Sequence, residues 1–121
     1  MKSNRQRIGI WGEQLAAEKL RSAGYEILEQ NYRTPYGELD LIARKGDLFL
    51  FIEVKTRTSR AFGLPEAALT RRKREHILQS IEHYLQEHPE IDCDWRVDVF
   101  AIQGKPGASD LEVVWFENAL A

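Results

Sequence analysis

Cysteine occurs once in this 121-residue chain, as Cys93, so an internal disulfide and a cysteine-rich zinc site are excluded. The residue itself reads as an ordinary thiol. No apolar run approaches the ~20 residues that a membrane-crossing helix needs. The opening Met1-Lys2-Ser3-Asn4-Arg5-Gln6-Arg7 is basic but lacks the apolar core of a signal peptide. A reduced, cytoplasmic protein with no membrane partner is the expectation that follows. P-loop, GxGxxG and Ser-His-Asp patterns are also missing, so none of them competes for the chemistry. Of the scarce histidines, His76 and His83 lie two helical turns apart, roughly 10 Å, too far to share an ion. We read these two and His88 as surface residues.

What is present suffices for one domain over residues 1–121. Apolar residues make up 43% of the chain, and three Trp and five Phe give it bulk to bury. Trp11, Trp95 and Trp115 are expected in the core. The net charge of −2 speaks against a wholly basic nucleic-acid binder, yet the charges are unevenly placed. From Arg57 to Arg74, six basic residues face the single acid Glu66, giving +5; from Glu82 onward, nine acids face Arg96 and Lys105, giving −7. By itself such a run is a solvated helix face. Beside a functional site it is a flank that attracts a polyanion.

Ser3 or Asn4 can cap a helix that runs to about Ser22, with Gly24 as its stop. Ile8, Trp11, Leu15 and Leu20 form its apolar stripe, and Gly9, Gly12 and Ala16 a line of small residues suited to close approach against a sheet. Strands are expected over 25–32, 38–44 and 48–56, separated by turns at Thr34-Pro35-Tyr36-Gly37 and Lys45-Gly46-Asp47. Arg57 to Leu64 reads as an exposed loop. Pro65 can open a short helix, and Thr70 caps a longer one reaching His88-Pro89, with Ile77, Ile81, Tyr84 and Leu85 inward. Strands over 95–102 and 111–116 complete an αβββαββ order in one mixed sheet, an α/β fold.

Side chains alternate along a strand, so Glu53 and Lys55 share a face with Phe49 and Phe51, while Leu50, Ile52 and Val54 take the other. Both faces are apolar until the polar end, the mark of a central strand. On the preceding strand Glu38, Asp40 and Ile42 share a face, and a hairpin about residue 46 sets Asp40 near Ile52 and Glu53. Two carboxylates this close and this poorly solvated repel unless a cation or a proton lies between them. A divalent metal resolves the conflict, and Lys55 is placed to stabilise charge on a substrate beside it. The plainer alternative is an ion pair between Glu53 and Lys55 at a strand end.

Asp40 followed by Glu53-Val54-Lys55 resembles the PD-(D/E)xK nuclease signature, with Leu39 standing where that signature has its proline. The chain is further similar to the YraN-type family of small bacterial proteins, itself similar to archaeal Holliday junction resolvases. Gly9-Ile10-Trp11-Gly12-Glu13 with Ala16 and Leu20, Asn31-Tyr32-Arg33, Gly37 to Ile42, Glu53 to Arg57 and the stretch from Phe62-Gly63 to Lys73 carry the likeness. It implies a restriction endonuclease-like αβββαβ core, a mixed central sheet flanked by helices. It also implies that Asp40 and Glu53, joined by the Val54 carbonyl and by Glu13 from the first helix, bind Mg²⁺ or Mn²⁺, with Lys55 the catalytic lysine. Glu38 reads as a supporting residue or a salt-bridge partner of Arg33 or Arg57. Arg57, Lys73 and Arg33 are the candidate phosphate contacts, since Arg60, Arg71, Arg72 and Arg74 cannot all face one ligand.

The function expected is metal-dependent phosphodiester hydrolysis on structured or branched DNA, with a homodimer by analogy with resolvases. Two alternatives stay open. One is a nucleic-acid-binding module of the same fold with little or no catalysis; the other is a protein-interaction adaptor docking through its acidic C-terminal half.

Overall fold

Ser3 opens the first helix, α1 (Asn4–Ser22). Its hydroxyl accepts from the Gln6 N–H at 3.2 Å, and the Gln6 side chain accepts from the Ser3 N–H at 2.8 Å, a reciprocal capping box. Gly24, at φ 91°, turns the chain off the helix end, as the sequence predicts. The computed structural model describes residues 1–59 and 66–120. β1 (Glu26–Thr34), β2 (Gly37–Lys45) and β3 (Leu48–Arg57) follow as an antiparallel meander. The expected β1 thus begins one residue later and ends two residues further on, because Thr34 still pairs with Gly37 across the Pro35-Tyr36 turn.

Thr70 caps α2 (Arg71–Glu87) by accepting from the Lys73 N–H at 3.1 Å. This helix carries the chain across to β4 (Asp94–Gln103), which lies parallel to β3 over the whole of Leu48 to Arg57. β5 (Glu112–Phe116) returns antiparallel to β4, giving one mixed sheet in the order β1-β2-β3-β4-β5. The αβββαββ order is as read. Residues 60–65 fall outside the described residues, so the loop assigned over 57–64 is described only to residue 59, and Arg60 and Pro65 are not described. Glu66 to Thr70 carries no helix.

The helices cover opposite faces of the sheet. Under α1, Ala16, Ala17 and Leu20 pack on Leu41, Ala43, Leu50, Ile52 and Phe100. Under α2, Ile77, Ile81 and Tyr84 pack on Leu39, Ile42, Phe49, Phe51 and Val97. β3 therefore divides its side chains as its alternation predicts, and it is buried on both faces. β2 does not. Leu39 and Ile42 share the α2 face, while Leu41 and Ala43 face α1, so Ile42 parts from Glu38 and Asp40. The slip coincides with Asn31, whose left-handed backbone (φ 52°) interrupts the β1–β2 ladder opposite Asp40.

Two other expectations are corrected. The line buried along α1 is Gly12, Ala16, Ala17 and Leu20, as expected of the small-residue line at Gly12 and Ala16 and of Leu20, whereas Ile8, Trp11 and Leu15 of the apolar stripe are only half-buried. Small residues win because the helix lies close on β3: a Cβ at Gly12 collides with the Thr56 hydroxyl. Trp95 is 40% exposed, touching Phe51 edge-on from the start of β4 rather than sinking into the core. Trp115 does pack inward, stacked on Phe100 at 5.1 Å.

The fully buried Asp98 ties the last strands together. Its carboxylate accepts from Arg96 Nε at 2.9 Å, Arg96 Nη2 at 3.3 Å, Trp115 Nε1 at 2.8 Å and the Asn118 N–H at 2.9 Å. Such a carboxylate is satisfied on both oxygens, which offsets its desolvation. Asp98→Ala is expected to lower stability by about 3–5 kcal/mol in urea titrations, since it leaves the Arg96 guanidinium, the indole N–H and a backbone N–H without their acceptor. Gly12→Ala should lower stability by about 1–3 kcal/mol in spite of alanine's ~1 kcal/mol helical advantage. Thr56→Ala added to that variant should recover most of the loss. A Gly12→Ala protein as stable as the parent would show that α1 lifts from the sheet freely.

Candidate metal centre and cleft

The hydrogen-bond ladder between β2 and β3 ends at the pair Leu41 and Ile52. One residue beyond, Asp40 Oδ2 accepts from the Val54 N–H at 2.8 Å, so a side-chain carboxylate takes over where the next backbone partner would stand. This fixes Asp40 edge-on in the gap between the strands, beside Glu53 as the sequence reading expects. Glu13 descends from α1 and Glu38 stands two residues before Asp40. Carboxylate oxygens of Glu13, Glu38 and Asp40 all lie within 4.8 Å of one another. Among the described residues, this is the group of His, Cys, Asp and Glu close enough to hold one ion. It contains two of the three expected ligands, Glu13 and Asp40, together with Glu38, which was read as a supporting residue.

Glu53, the third expected ligand, sits on the far side of Asp40. Its Oε1 is 3.2 Å from Lys73 Nζ on α2, with the Glu53 side chain only 12% exposed. Lys73, expected as a phosphate contact, thus pairs with this acid while still lining the cleft. Lys55, two residues along the same face, turns to the segment before α2. Its ammonium donates to the Ala68 carbonyl at 2.7 Å and the Glu66 carbonyl at 3.3 Å. Arg57 lies exposed at the strand's end and lines the same cleft. Arg33 does not: it is almost fully exposed and reaches Glu38 Oε2 at 3.7 Å from the outer side.

The sequence reading missed what Asn31 does. Its amide donates to both Glu13 oxygens, at 3.2 and 3.0 Å, and to Glu38 at 2.9 Å, holding two like charges together. An Asn in the middle of a strand, next to β-formers and poor in β propensity, was the available signal. Arg5 was missed as well. It lines the cleft from the first turn of α1, where a basic N-terminal run gives little reason to single out one residue.

These residues form the floor and walls of an open cleft of roughly 1350 Å³. α1 supplies one wall through Arg5, Ile8 and Gly9, and Leu69, Thr70 and Lys73 line the other. Asp40, Glu53 and Glu13 occupy the floor. Burial, and then the Glu53 charge, push the Asp40 carboxyl up to about 7 against the opposing pull of the Val54 N–H and Lys73. Burial raises Glu13 to about 6, with the Asn31 amide opposing and Asp40 and Glu38 adding to the rise. Burial raises Glu53 too, and Lys73 restrains it.

A carboxyl raised in the folded state holds its proton at pH values where the unfolded chain has lost it. Stability therefore falls as pH rises through the interval from about 4 to about 7, and levels off above it. With cations chelated, the melting temperature of the parent should decline across that interval more than that of Asp40→Asn or Glu13→Gln. Equal pH profiles for the three proteins would contradict the strained acidic floor.

Comparison with known proteins places the chain in context. The profile of the Uncharacterised protein family UPF0102 matches residues 12–102. A UPF0102 protein of Syntrophomonas wolfei is 45% identical over 104 residues, covering 86% of this chain and 90% of its own length. One from Dehalococcoides mccartyi is 38% identical over 120 residues, 99% of this chain and 98% of its own. The matched span opens at Gly12, beside the floor residue Glu13, and carries through β4; the chain belongs to the UPF0102 family.

Proposed function

We propose that this protein is a divalent-metal-dependent phosphodiesterase acting on nucleic acid, DNA in preference to RNA, of the PD-(D/E)xK kind that its sequence resembles. The observation that carries the reading is Asp40: a half-buried acid locked to the Val54 N–H, crowded by three further carboxylates on the floor of a cleft with cationic walls. The donor set fits Mg²⁺ or Mn²⁺. All candidate ligands are hard carboxylate oxygens, and their 4.8 Å spread compares with about 4.2 Å across an octahedral Mg²⁺. Positive charge among them would oppose the burial, and the repulsion added to it, that raise Asp40 and Glu13.

Glu13, Glu38 and Asp40 would hold the ion, with Glu53 adjoining once Lys73 turns away. A bound divalent cation would supply Lewis-acid polarisation of the scissile phosphate and a lowered pKa for the attacking water. The chain's own residues supply the rest. Asp40 keeps its position through the Val54 N–H, and Asn31 sets the rotamers of Glu13 and Glu38. Lys55 brings an ammonium along the β3 face to the phosphate when it leaves the Glu66 and Ala68 carbonyls. Arg57 and Lys73 neutralise neighbouring phosphates, so affinity falls steeply with salt. A branched substrate has two strands to cut, which a homodimer with two such clefts would serve.

One observation favours a second reading, a binding module with weak or no catalysis. Both lysines at the site are engaged, Lys55 by carbonyls and Lys73 by Glu53. Cleavage of linear and branched DNA with Mn²⁺ or Mg²⁺ separates the two. Lys55→Ala should lose about 10²-fold or more and Asp40→Ala should fall to background. Equal background activity in parent and variants would sink the enzyme, while salt-sensitive binding lost in Arg57→Ala would sustain the module. At Mn²⁺ about 100 times its Kd the folded parent should gain roughly 2.7 kcal/mol of stability, and Asp40→Ala should not.

A further inference from the structure

α1 has a second interior glycine whose surroundings differ from those of Gly12. A Cβ placed on Gly9 meets no atom of the described residues within 4 Å. Its backbone is ordinary right-handed helix, so neither conformation nor any contact among the described residues calls for glycine. Glycine inside a helix is destabilising relative to alanine, and no contact among the described residues offsets that loss. Gly9 lines the cleft, on one helical face with Arg5 one turn before it and Glu13 one turn after.

We propose that one strand of nucleic acid lies along this face. Its sugar-phosphate backbone packs on the bare helix backbone at Gly9, and Arg5 meets a phosphate one turn from the acidic floor. This rests on the nucleic-acid reading above and adds to it the surface the strand follows. Charge argues for the occupant. Arg5, Lys55, Arg57 and Lys73 line the cleft, and the acids sit chiefly on its floor. Successive phosphates of a strand can meet these cations along the walls while its sugars and bases pass over the floor, whereas an acidic peptide would bring further carboxylates against it.

The test compares Gly9→Ala, Gly9→Leu and Arg5→Ala with the parent in two measurements. One is melting temperature; the other is fluorescence-anisotropy binding, in EDTA, of a labelled single-stranded oligonucleotide of one sequence, as DNA in one arm and RNA in the other. Gly9→Ala should melt about 2–5 °C higher, because alanine fits the open space and favours helix. It should nevertheless bind about threefold more weakly, and Gly9→Leu about tenfold or more, with an unchanged salt slope. Arg5→Ala should lose close to one phosphate's worth of salt dependence, a slope change of about 0.7 for a single strand. Arms that differ show which sugar the surface prefers. Stabilised Gly9 variants with parental affinity in both arms overturn the proposal and leave the nucleic-acid reading standing; a parent that binds neither oligonucleotide at low salt overturns both. If Gly9→Leu fails to fold, Gly9→Ala alone decides.

Discussion

The end of the β2–β3 ladder is the constraint on which the candidate site depends. Up to Ile52, β3 is buried on both faces and hydrogen-bonded to both neighbours. Beyond it the parallel pairing with β4 continues to Arg57, but β2 no longer supplies a backbone acceptor. The Val54 N–H, only half-buried, still needs a partner. Asp40 provides one, and in doing so it becomes a carboxylate whose orientation is dictated by the sheet itself. A side chain held by the backbone of a central strand has little freedom to escape its neighbours. The crowding of Glu13, Glu38 and Glu53 around it is therefore a standing electrostatic load rather than a transient encounter.

That load is managed by neutral and cationic groups on opposite sides. Asn31 gives its amide protons to Glu13 and Glu38 on the β1 side, and Lys73 gives its charge to Glu53 on the α2 side. Neither cancels the problem, since Asp40 and Glu13 remain raised. The left-handed backbone at Asn31 belongs to the same arrangement. It interrupts pairing opposite Asp40 and brings the amide down onto the two glutamates; Asn is among the residues that accept that conformation at small expense.

Element order, the two-sided burial of β3 and the meeting of Asp40 with Glu53 were legible because each follows from a period or a turn. Alternation along Leu48 to Lys55 and a tight hairpin at Gly46 leave few registers open. What was not legible required breaks in those periods. The face of Ile42 was misassigned because one left-handed residue on the neighbouring strand shifted the pleat. The small-residue line of α1 was legible at Gly12 and Ala16, but Ile8, Trp11 and Leu15 were given the inward place on bulk, whereas the distance to Thr56 selects for small residues. Glu38 could not be ranked with Glu13 before the Asn31 amide was seen to bind both. The partners of Lys55 and Lys73 depend on where the segment before α2 settles, which no local pattern records.

The same locality explains why the basic run of +5 did not become a single cationic face. Arg71 pairs with Glu75, Lys73 turns inward to Glu53, and Arg74 reaches the Leu120 carbonyl near the chain's end. A helix distributes consecutive residues around its axis, so a block of charge in sequence is dispersed in space. The cations that line the cleft, Arg57 and Lys73 of that run among them, come from the first turn of α1, the end of β3 and the first turn of α2. Each is brought there by a different element ending at the same rim of the sheet. The placing of positive charge around the cleft is accordingly a property of where elements end, and the acidic floor lies where the sheet's own pairing gives out.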